Sequence, residues 1–168
     1  MIRVVPVDTD DLRAAMTAIR VTVFVQEQGV DPDVEMDPWD EDPGTLHVVA
    51  LHESGTALGT ARLLPPHHPG EPAHIGRVAV SAQARGTGVG ALLMTALEAA
   101  ALERYGVDGV VTVELSAQEQ ALGFYARLGY VARAGRYLDE NIWHRDAVKI
   151  VRSTDTVADA PEGVGTAT

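Results

Sequence analysis

The residues best suited to chemistry in this chain are the glycines of Arg85-Gly-Thr-Gly-Val-Gly90, which follow a short apolar run and precede an amphipathic stretch. Glycine carries no Cβ, so it permits a positive φ and lets an anion approach the backbone closely. The helix predicted to follow presents unpaired N–H groups and the positive end of its dipole at the same turn. The segment therefore predicts a phosphate-binding site.

Two common phosphate-binding motifs fit this turn poorly. A P-loop needs Lys and then Ser or Thr after its last glycine, but Ala91 and Leu92 stand there. The dinucleotide-binding pattern G-x-G-x-x-G/A is formally satisfied by Gly86-x-Gly88-x-x-Ala91. In that fold the strand runs directly into the first glycine, whereas here five residues separate Val80 from it. A turn without any ligand is the simplest alternative.

A wider segment around the turn resembles a known family. Gln83-x-x-Gly86-x-Gly88 matches the Q/R-x-x-G-x-G/A signature of the GCN5-related N-acetyltransferases, the GNAT superfamily, and Gly76-Arg-Val-Ala-Val80 is similar to the strand before that turn. The resemblance implies a loop that cradles the pyrophosphate of acetyl-coenzyme A (acetyl-CoA). The cofactor-binding residues that it implies are Val78, Ala79, Val80, Gln83, Arg85, Gly86, Thr87, Gly88, Val89, Gly90, Ala91, Phe124 and Tyr125.

The same resemblance implies a mechanism in which an amine attacks the thioester directly, within a ternary complex and without a covalent enzyme intermediate. The backbone of residues 78–80 is expected to pair with the pantetheine chain, and one N–H there is expected to polarise the thioester carbonyl. The N–H groups of residues 85–91 are expected to hold the pyrophosphate, with the Arg85 guanidinium adding positive charge.

A second segment, from Leu115 to Tyr130, resembles the GNAT pattern in which a strand leads into a short helix bearing Phe-Tyr. Phe124, Tyr125 and Leu128 share one face of this helix, because they recur at helical spacing. We interpret Phe124 as a core residue and expect the Tyr125 phenol to face a cavity. Its ordinary pKa of about 10 exceeds the ~8.5 of a thiol, so we expect it to stabilise the departing thiolate by a hydrogen bond, with full proton transfer left open.

The general base is less sharply defined by the sequence. An alkylamine is mostly protonated at neutral pH, so a carboxylate or imidazole must take its proton, directly or through water. The candidates are Glu27 after the first predicted helix, Glu114 at the end of a strand, and His144. Each has a structural alternative: a solvated helix end, a charge at a strand end and a hydrogen-bonded structural imidazole.

The amino-terminal half resembles a particular branch of the superfamily. Val23-Phe-Val-Gln-Glu-Gln28-Gly, Glu35-x-Asp37-x-x-Asp40 and His47-Val-Val-Ala are similar to segments of the ElaA-like small bacterial acetyltransferases. That branch has Gly-Ile-Pro-His near its last strand, where this chain has Asn141-Ile-Trp-His144. The resemblance does not identify the acceptor amine.

Acidic residues are concentrated in one region. From Val21 to Ala61 there is no Lys or Arg, and seven acids cluster within that stretch, interrupted by three prolines: Asp31, Asp33, Glu35, Asp37, Asp40, Glu41 and Asp42. The prolines and acids predict a loop rather than a helix. This loop either borders the acceptor site and attracts a cationic amine or is solvated and only aids solubility.

The elements that must position these residues alternate along the chain. We predict strands over 2–7, 45–53, 57–64, 74–80, 110–115, 130–133 and 143–151, and helices over 10–26, 88–105 and around 121–128. Val89, Leu92, Leu93, Ala96, Leu97 and Ala100 are the predicted core face of the long helix. The fold class is α/β (α+β), a GNAT fold with a mixed, mostly antiparallel sheet flanked by helices. Its central strand pair splays to form the acetyl-CoA cleft.

Length and composition fit one domain over residues 1–152 with a disordered tail over 153–168. The net charge of −11 argues against nucleic-acid binding through a basic surface. There is no cysteine, no membrane-length apolar run and no signal-peptide pattern, so we expect a cytoplasmic enzyme. The histidines at 67, 68 and 74 lie in a proline-rich setting, and we expect no metal site.

The expected partners are acetyl-CoA and an amine acceptor, which we take to be a small molecule, with no nucleic acid or membrane. A protein amine, a larger acyl group, and either a monomer or a homodimer are compatible with the same sequence. Two alternatives come from other classes: a non-catalytic regulatory module that binds acetyl-CoA, and a dinucleotide oxidoreductase, which the strand-to-glycine gap disfavours.

Overall fold

An eight-stranded sheet forms the centre of the protein, and helices cover it. This computed structural model describes residues 1–154. Strands β1–β8 are Ile2–Pro6, Leu46–His52, Ala57–Leu64, Ala73–Val80, Val110–Gln118, Val131–Ala132, Tyr137–Asp139 and Ile142–Arg152. Helices α1–α4 are Asp10–Arg20, Pro32–Glu35, Val89–Tyr105 and Leu122–Arg127. The predicted α/β class with a mixed sheet is confirmed.

The order of strands in the sheet is β1-β2-β3-β4-β5-β8-β6, with β7 also paired to β8. Every pair is antiparallel except β4 with β5, which is parallel. These two central strands pair at Ala73 with Val113 and at His74 with Glu114, and beyond those positions they diverge. The predicted splayed central pair is therefore present, and it leaves the later part of β4 without a partner on its β5 side.

Alternation along β2 explains why the sheet is covered on both faces. Val48 and Ala50 belong to the main core beneath α3, whereas Val49 and Leu51 pack with Met16 of α1. Because successive side chains of a strand point to opposite faces, the two helices lie on opposite sides of the sheet.

Helix α3 starts and stops where the sequence predicts, with Gly88 as its N-cap and Gly106 as its C-cap. Its core face differs from the prediction, because Leu92 is 42% exposed and Glu98 is buried. Glu98 is accommodated by hydrogen bonds from the Tyr130 hydroxyl (2.7 Å) and the Lys149 Nζ (2.9 Å). The sequence did not predict that Glu98 is buried, because its partners Tyr130 and Lys149 are distant in sequence.

The first helical region has the predicted length but two geometries. Helix α1 is capped by Thr9, whose Oγ1 accepts from the Leu12 N–H at 3.1 Å, and it ends at Arg20. A π-helix then runs over Val21–Glu27, and its Phe24 packs with Ala79 of β4. Wide turns of this kind are rare and often occur at functional sites.

The acidic region is more ordered than the predicted loop. Residues 31–42, here called the acidic segment, contain α2 and a 3₁₀ turn at Pro38–Asp40. Proline begins both elements, at positions where no helical N–H is needed. Asp31 caps α2 by accepting the Asp33 N–H at 2.9 Å.

Two further differences concern the carboxyl-terminal half. Strand β5 extends to Gln118, three residues beyond the prediction, and β7 was not predicted. Strands β7 and β8 form a hairpin whose turn residues Glu140 and Asn141 have φ of 48° and 61°.

The predicted tail at 153–168 lies outside the described residues, except for positions 153 and 154. The Ser153 N–H donates to the Gly109 carbonyl at 2.9 Å. Among residues 1–154, no helix has both the length and the hydropathy needed to cross a membrane. The single-domain division at residue 152 stays a prediction.

Candidate functional site

A cavity of about 560 Å³ opens where β4 and β5 diverge. Its walls come from the π-helix, the acidic segment, β3, β4, β5, α4 and the β7–β8 hairpin. The polar and aromatic residues that line it include Gln28, Glu35, Trp39, Arg62, His67, His74, Arg77, Ser116, Gln118, Tyr125, Asp139, Glu140 and His144. We call this space the main cavity.

The glycine-rich turn has the backbone geometry that its composition predicts. Gly86 and Gly88 have φ of 78° and 89°, values that favour glycine. The first N–H that closes a helical turn is that of Leu92, which donates to the Gly88 carbonyl at 3.1 Å. The N–H groups of residues 89–91 precede it, so they remain available at the positive end of the helix dipole.

The Arg85 side chain does not extend toward this turn. Its Nε donates to the Val80 carbonyl at 3.1 Å, and its Nη2 pairs with the Glu27 carboxylate. The Arg85 and Thr87 N–H groups make long hydrogen bonds, 3.4 Å each, to carbonyls just before them. Within this part of the site, the backbone of the glycine turn rather than the Arg85 guanidinium is arranged to receive an anion. Gln83 is exposed and lies beside Glu27 in a smaller depression.

Phe124 and Tyr125 lie in different surroundings: Phe124 packs against the main core, and Tyr125 lines the main cavity. A Cβ added to Gly90 would lie 3.0 Å from the Phe124 ring, so the absence of a side chain lets α3 approach α4. The Phe124 and Tyr125 rings meet edge to face, with centroids 5.0 Å apart. Tyr125 lines the main cavity, where the prediction expected its phenol.

The Tyr125 phenol is buried and remains protonated. Burial raises its pKa to about 12. Among the described residues no hydrogen bond to its hydroxyl is formed, which leaves the group free to donate into the main cavity. Complete transfer of its proton to an ordinary thiolate would be uphill by about 5 kcal/mol, given a thiol pKa of ~8.5. The chemistry available to Tyr125 is therefore hydrogen bonding to developing negative charge.

His144 is held in a single tautomer by its own strand. Its Nδ1 lies 2.7 Å from the Ile142 carbonyl, which can only accept, so Nδ1 carries the hydrogen and Nε2 carries the lone pair. The imidazole stacks on Tyr137, with centroids 5.9 Å apart, and lines the main cavity. A positioned imidazole with a free lone pair can accept a proton.

The other two candidate bases lie elsewhere. Glu114 Oε2 pairs with Arg133 Nη2 at 3.0 Å, and Glu27 pairs with Arg85. Neither carboxylate lines the main cavity. Of the four predicted catalytic residues, the structure brings Tyr125 and His144 together.

Hydrogen bonds between side chains connect the elements around the main cavity. The Gln118 Nε2 donates to Gln28 Oε1 at 2.7 Å, which connects β5 to the end of the π-helix. The Tyr137 hydroxyl donates to Asp146 Oδ1 at 2.6 Å and accepts from Ser116. These side chains fix the surroundings of His144.

A buried ion-pair network, which the sequence reasoning missed, holds the acidic segment against α1. Arg20 Nε donates to Glu35 Oε1 at 2.9 Å, and Arg20 Nη1 donates to Asp40 Oδ1 at 2.6 Å. All three side chains are at most 3% exposed. Removing one partner of such a set typically costs about 3–5 kcal/mol, because a buried charge is left unpaired.

The same network reaches β3 and β4. Arg62 binds Asp37 through two hydrogen bonds of 2.7 and 2.8 Å, and Arg77, at φ 52°, donates to the Glu35 carbonyl at 3.1 Å. Although burial opposes it, the hydrogen bonds and charges of Arg20 and Arg62 hold the pKa of Asp40 well below its usual range. We call these six side chains (Arg20, Glu35, Asp37, Asp40, Arg62 and Arg77) the arginine network.

The network corrects the interpretation of the acidic segment. Glu35 and Asp40 are not solvated. The carboxylates of Glu35, Asp37 and Asp40 form ion pairs with arginines, so they are not arranged to bind a cationic acceptor. The sequence did contain a signal for this network. Arg20 and Arg62 flank the long region that has no Lys or Arg, and buried acids require such partners.

Aromatic rings form another wall of the main cavity. The Trp39 and His67 rings lie 6.2 Å apart, and the His67 and His74 rings lie 5.7 Å apart. Within the described part of the chain, no group of three or more His, Cys, Asp or Glu side chains is arranged to hold a metal ion.

Diverging central strands, a glycine turn at a helix start and a cavity between them define the class of acyl-CoA-dependent acyltransferases that the sequence resemblance implied. The sequence profile of the acetyltransferase (GNAT) family matches residues 13–130. The chain belongs to this family.

Similar proteins support the same class. The Bacillus subtilis (strain 168) N-acetyltransferase YjcF, itself uncharacterized, is 33% identical over 132 residues, covering 78% of this chain and 87% of the relative. An acyl-CoA N-acyltransferase from Pseudomonas aeruginosa is 35% identical with a TM-score of 0.74, covering 89% of this chain and 98% of that one. Escherichia coli ElaA is 26% identical with a TM-score of 0.77, covering 89% and 99%.

Proposed function

We propose that the protein transfers the acetyl group of acetyl-CoA to the nitrogen of an amine by direct attack in a ternary complex. The observation that carries the proposal is the shared cavity: the Tyr125 phenol and the His144 imidazole both line the space where β4 and β5 diverge. One group can donate a hydrogen bond and the other can accept a proton, as amide formation from a thioester and an ammonium ion requires.

The backbone supplies the proposed binding surface for acetyl-CoA. The unpaired edge of β4 at residues 78–80 would bind the pantetheine amides. The N–H groups of residues 86–91 that remain free would bind the pyrophosphate. A backbone N–H near Val78 would donate to the thioester oxygen as negative charge develops there.

The amine would enter the main cavity as an ammonium ion and lose one proton to His144 Nε2. Its nitrogen then forms a bond to the thioester carbon, and the carbon–sulfur bond breaks as the tetrahedral intermediate collapses. The Tyr125 hydroxyl donates a hydrogen bond to the thiolate of coenzyme A as it leaves. The amide nitrogen releases its remaining extra proton to solvent, so the step needs no other reactant.

Replacing the proposed base tests this function. We expect His144→Gln to lower kcat by about 10²- to 10⁴-fold, because an amide cannot accept a proton at neutral pH. The matched control is His68→Gln, an exposed imidazole outside the main cavity. Amine-dependent release of coenzyme A would be followed with both substrates varied. A His144→Gln enzyme as active as the control would reject His144 as the base, and parallel rather than intersecting lines would reject the ternary complex.

A further inference from the structure

Strand β4 contains one more residue than its partner where it passes β3. The pairing shifts by one position between Thr60 and Arg62 of β3. Ala61 therefore lies alone opposite two residues of β4, Arg77 and Val78. An extra residue of this kind is a β-bulge, which bends the strand and redirects the side chains that follow it. The bulge lies directly before the part of β4 that is proposed to bind the pantetheine amides.

The packing on the two faces of the sheet shows the effect of this bulge. In a regular strand, odd-numbered and even-numbered side chains point to opposite faces. Here Ile75 packs in the main core on the α3 side, and so do Val78 and Val80. Ala79 packs on the other side, with Phe24 of the π-helix. The alternation is therefore reversed after the bulge, and Val78 comes to line the main cavity.

The bulge requires an unfavourable backbone conformation at Arg77. Its φ of 52° lies in the left-handed region, where a Cβ is crowded by the following carbonyl oxygen. Gly76, the residue before it, would accept such a φ without this cost, but the left-handed conformation falls on the arginine. Conformations of this kind persist only where surrounding contacts hold them, and they are frequent at functional sites.

The acidic segment supplies those contacts through the Arg77 side chain. The Arg77 Nη2 donates to the Glu35 carbonyl at 3.1 Å, and its Nε lies 3.4 Å from Glu35 Oε1. The Nη2 also lies 3.4 Å from Asp37 Oδ2. The segment is itself fixed, since Arg20 binds Glu35 and Arg62 binds Asp37. The Arg77 guanidinium is therefore anchored to a buried part of the molecule, which keeps its backbone in the left-handed conformation.

We propose that Arg77 is a positioning residue for acetyl-CoA, and this inference rests on the proposed function. The acidic segment holds the Arg77 guanidinium, the guanidinium holds the bulge, and the bulge orients the free edge of residues 78–80 toward the cofactor. In this role Arg77 acts through the backbone and does not itself touch acetyl-CoA. The arginine network thus has a function beyond stabilising the acidic segment, because it fixes the strand that binds the cofactor.

Two substitutions at Arg77 test this role. Arg77→Ala and Arg77→Gly both remove the guanidinium, but only glycine adopts a φ of 52° without steric cost. We expect the Kd for acetyl-CoA, measured by isothermal titration calorimetry, to rise about tenfold in Arg77→Ala, because the strand relaxes out of the bulge. In Arg77→Gly the bulge is retained, so the Kd should stay within about threefold of the wild type. Glu35 and Asp37 each keep another arginine, so both variants should fold.

The two variants distinguish positioning through the backbone from direct binding. A contact between the guanidinium and acetyl-CoA would be lost in both variants alike. Equal Kd values in Arg77→Ala and Arg77→Gly would therefore overturn the proposal, whether both are raised or both match the wild type. Tighter binding by Arg77→Ala than by Arg77→Gly would also overturn it.

Asp108 provides a matched control, because its φ of 53° is nearly the same and it lies in the turn before β5, outside the main cavity. Asp108→Ala and Asp108→Gly should differ in Tm, as the Arg77 variants do, because the same backbone cost applies. Both should bind acetyl-CoA with the wild-type Kd. If Asp108→Ala raised the Kd as much as Arg77→Ala does and Asp108→Gly did not, loss of stability would explain the effect, and the proposal would be overturned.

Calorimetry needs no acceptor amine, so it separates failure of this inference from failure of the proposed function. If acetyl-CoA binds with the expected order of Kd values but no amine is acetylated, the positioning role is supported and the enzymatic proposal fails. If an amine is acetylated but the Kd is the same in the wild type and both Arg77 variants, the positioning role is overturned and the enzymatic proposal stands.

Discussion

At the scale of single residues, burial decides which chemistry Tyr125 can perform, and a hydrogen bond to the backbone decides it for His144. Burial raises the pKa of Tyr125 to about 12, so the phenol stays protonated and can donate a hydrogen bond. The Ile142 carbonyl fixes the hydrogen of His144 on Nδ1, so the imidazole presents an acceptor. The sequence predicted both residues but could not choose among three bases, because only the fold shows which of them shares a cavity with Tyr125.

Tyr125→Phe tests the donor role. Losing a hydrogen bond to a charged group typically costs about 1.5–3 kcal/mol, so we expect kcat to fall by about 10- to 100-fold. The KM for acetyl-CoA should change by less than about twofold, because the ring packing is retained. Steady-state kinetics of the variant would be compared with Tyr105→Phe, which lies outside the main cavity. Unchanged kcat in Tyr125→Phe would contradict the assignment.

At the scale of elements, glycines let α3 sit close to its neighbours and open its first turn to an anion. Gly90 admits the Phe124 ring of α4, and Gly88 turns the chain into α3 with a positive φ. The first turn of α3 and the helix that carries Tyr125 are thus in direct contact. The glycine turn and the Phe-Tyr helix could both be recognised in the sequence, because each motif is a short segment with its glycines or aromatic residues at fixed spacing.

Gly88→Ala tests whether this backbone conformation binds the cofactor. A side chain at positive φ costs about 1–2 kcal/mol, and we expect the loop to relax and the KM for acetyl-CoA to rise about tenfold. Gly55→Ala is a close control, because Gly55 has the same φ of 89° and open space around its Cβ position, but lies in the β2–β3 turn. Unfolding and kinetic measurements should give similar stability losses and a raised KM in Gly88→Ala alone. A similar KM in both variants would contradict the role of the turn.

Elements that depend on distant partners were harder to predict. The acidic segment has the prolines and acids of a solvated loop, yet Arg20 and Arg62 draw its carboxylates into the interior. Strand β7 was missed because Tyr137–Asp139 is short and is defined by pairing with β8 rather than by its own pattern. Local periodicity carries no information about such pairings.

At the scale of the whole molecule, the arginine network joins α1, the acidic segment, β3 and β4 into one wall of the main cavity. His47 of β2 lies beside it, with Nε2 3.8 Å from Asp40 Oδ1. Burial lowers the pKa of His47, outweighing the charge of Asp40, so this imidazole is neutral in the folded protein at pH 7.

His47 and the arginine network make the free energy of unfolding depend on pH. In the unfolded chain the pKa of His47 is about 6.5, and in the folded protein it is lower. As the pH is lowered below 6.5, the unfolded chain therefore binds a proton at His47 more readily than the folded protein does, so the free energy of unfolding falls. Between pH 7 and 5 the contribution of this one group is at most about 2 kcal/mol. Urea unfolding at both pH values should show a smaller fall in His47→Gln than in the wild type. Equal falls would show that His47 is not the group responsible.

Below about pH 4, protonation of Asp37 and Asp40 should remove further stability, since the pKa of each is lowered by folding.

The most direct test of acyl transfer in this cleft is to identify the products. Wild-type protein would be incubated with acetyl-CoA, with and without a panel of small amines, and coenzyme A, acetylated amine and intact protein would be quantified by mass spectrometry. We predict equal amounts of coenzyme A and N-acetyl product, formed only with amine present, and no mass increase of the protein. Binding of acetyl-CoA without product for any amine offered, or an acetylated protein that then transfers its group, would contradict the account.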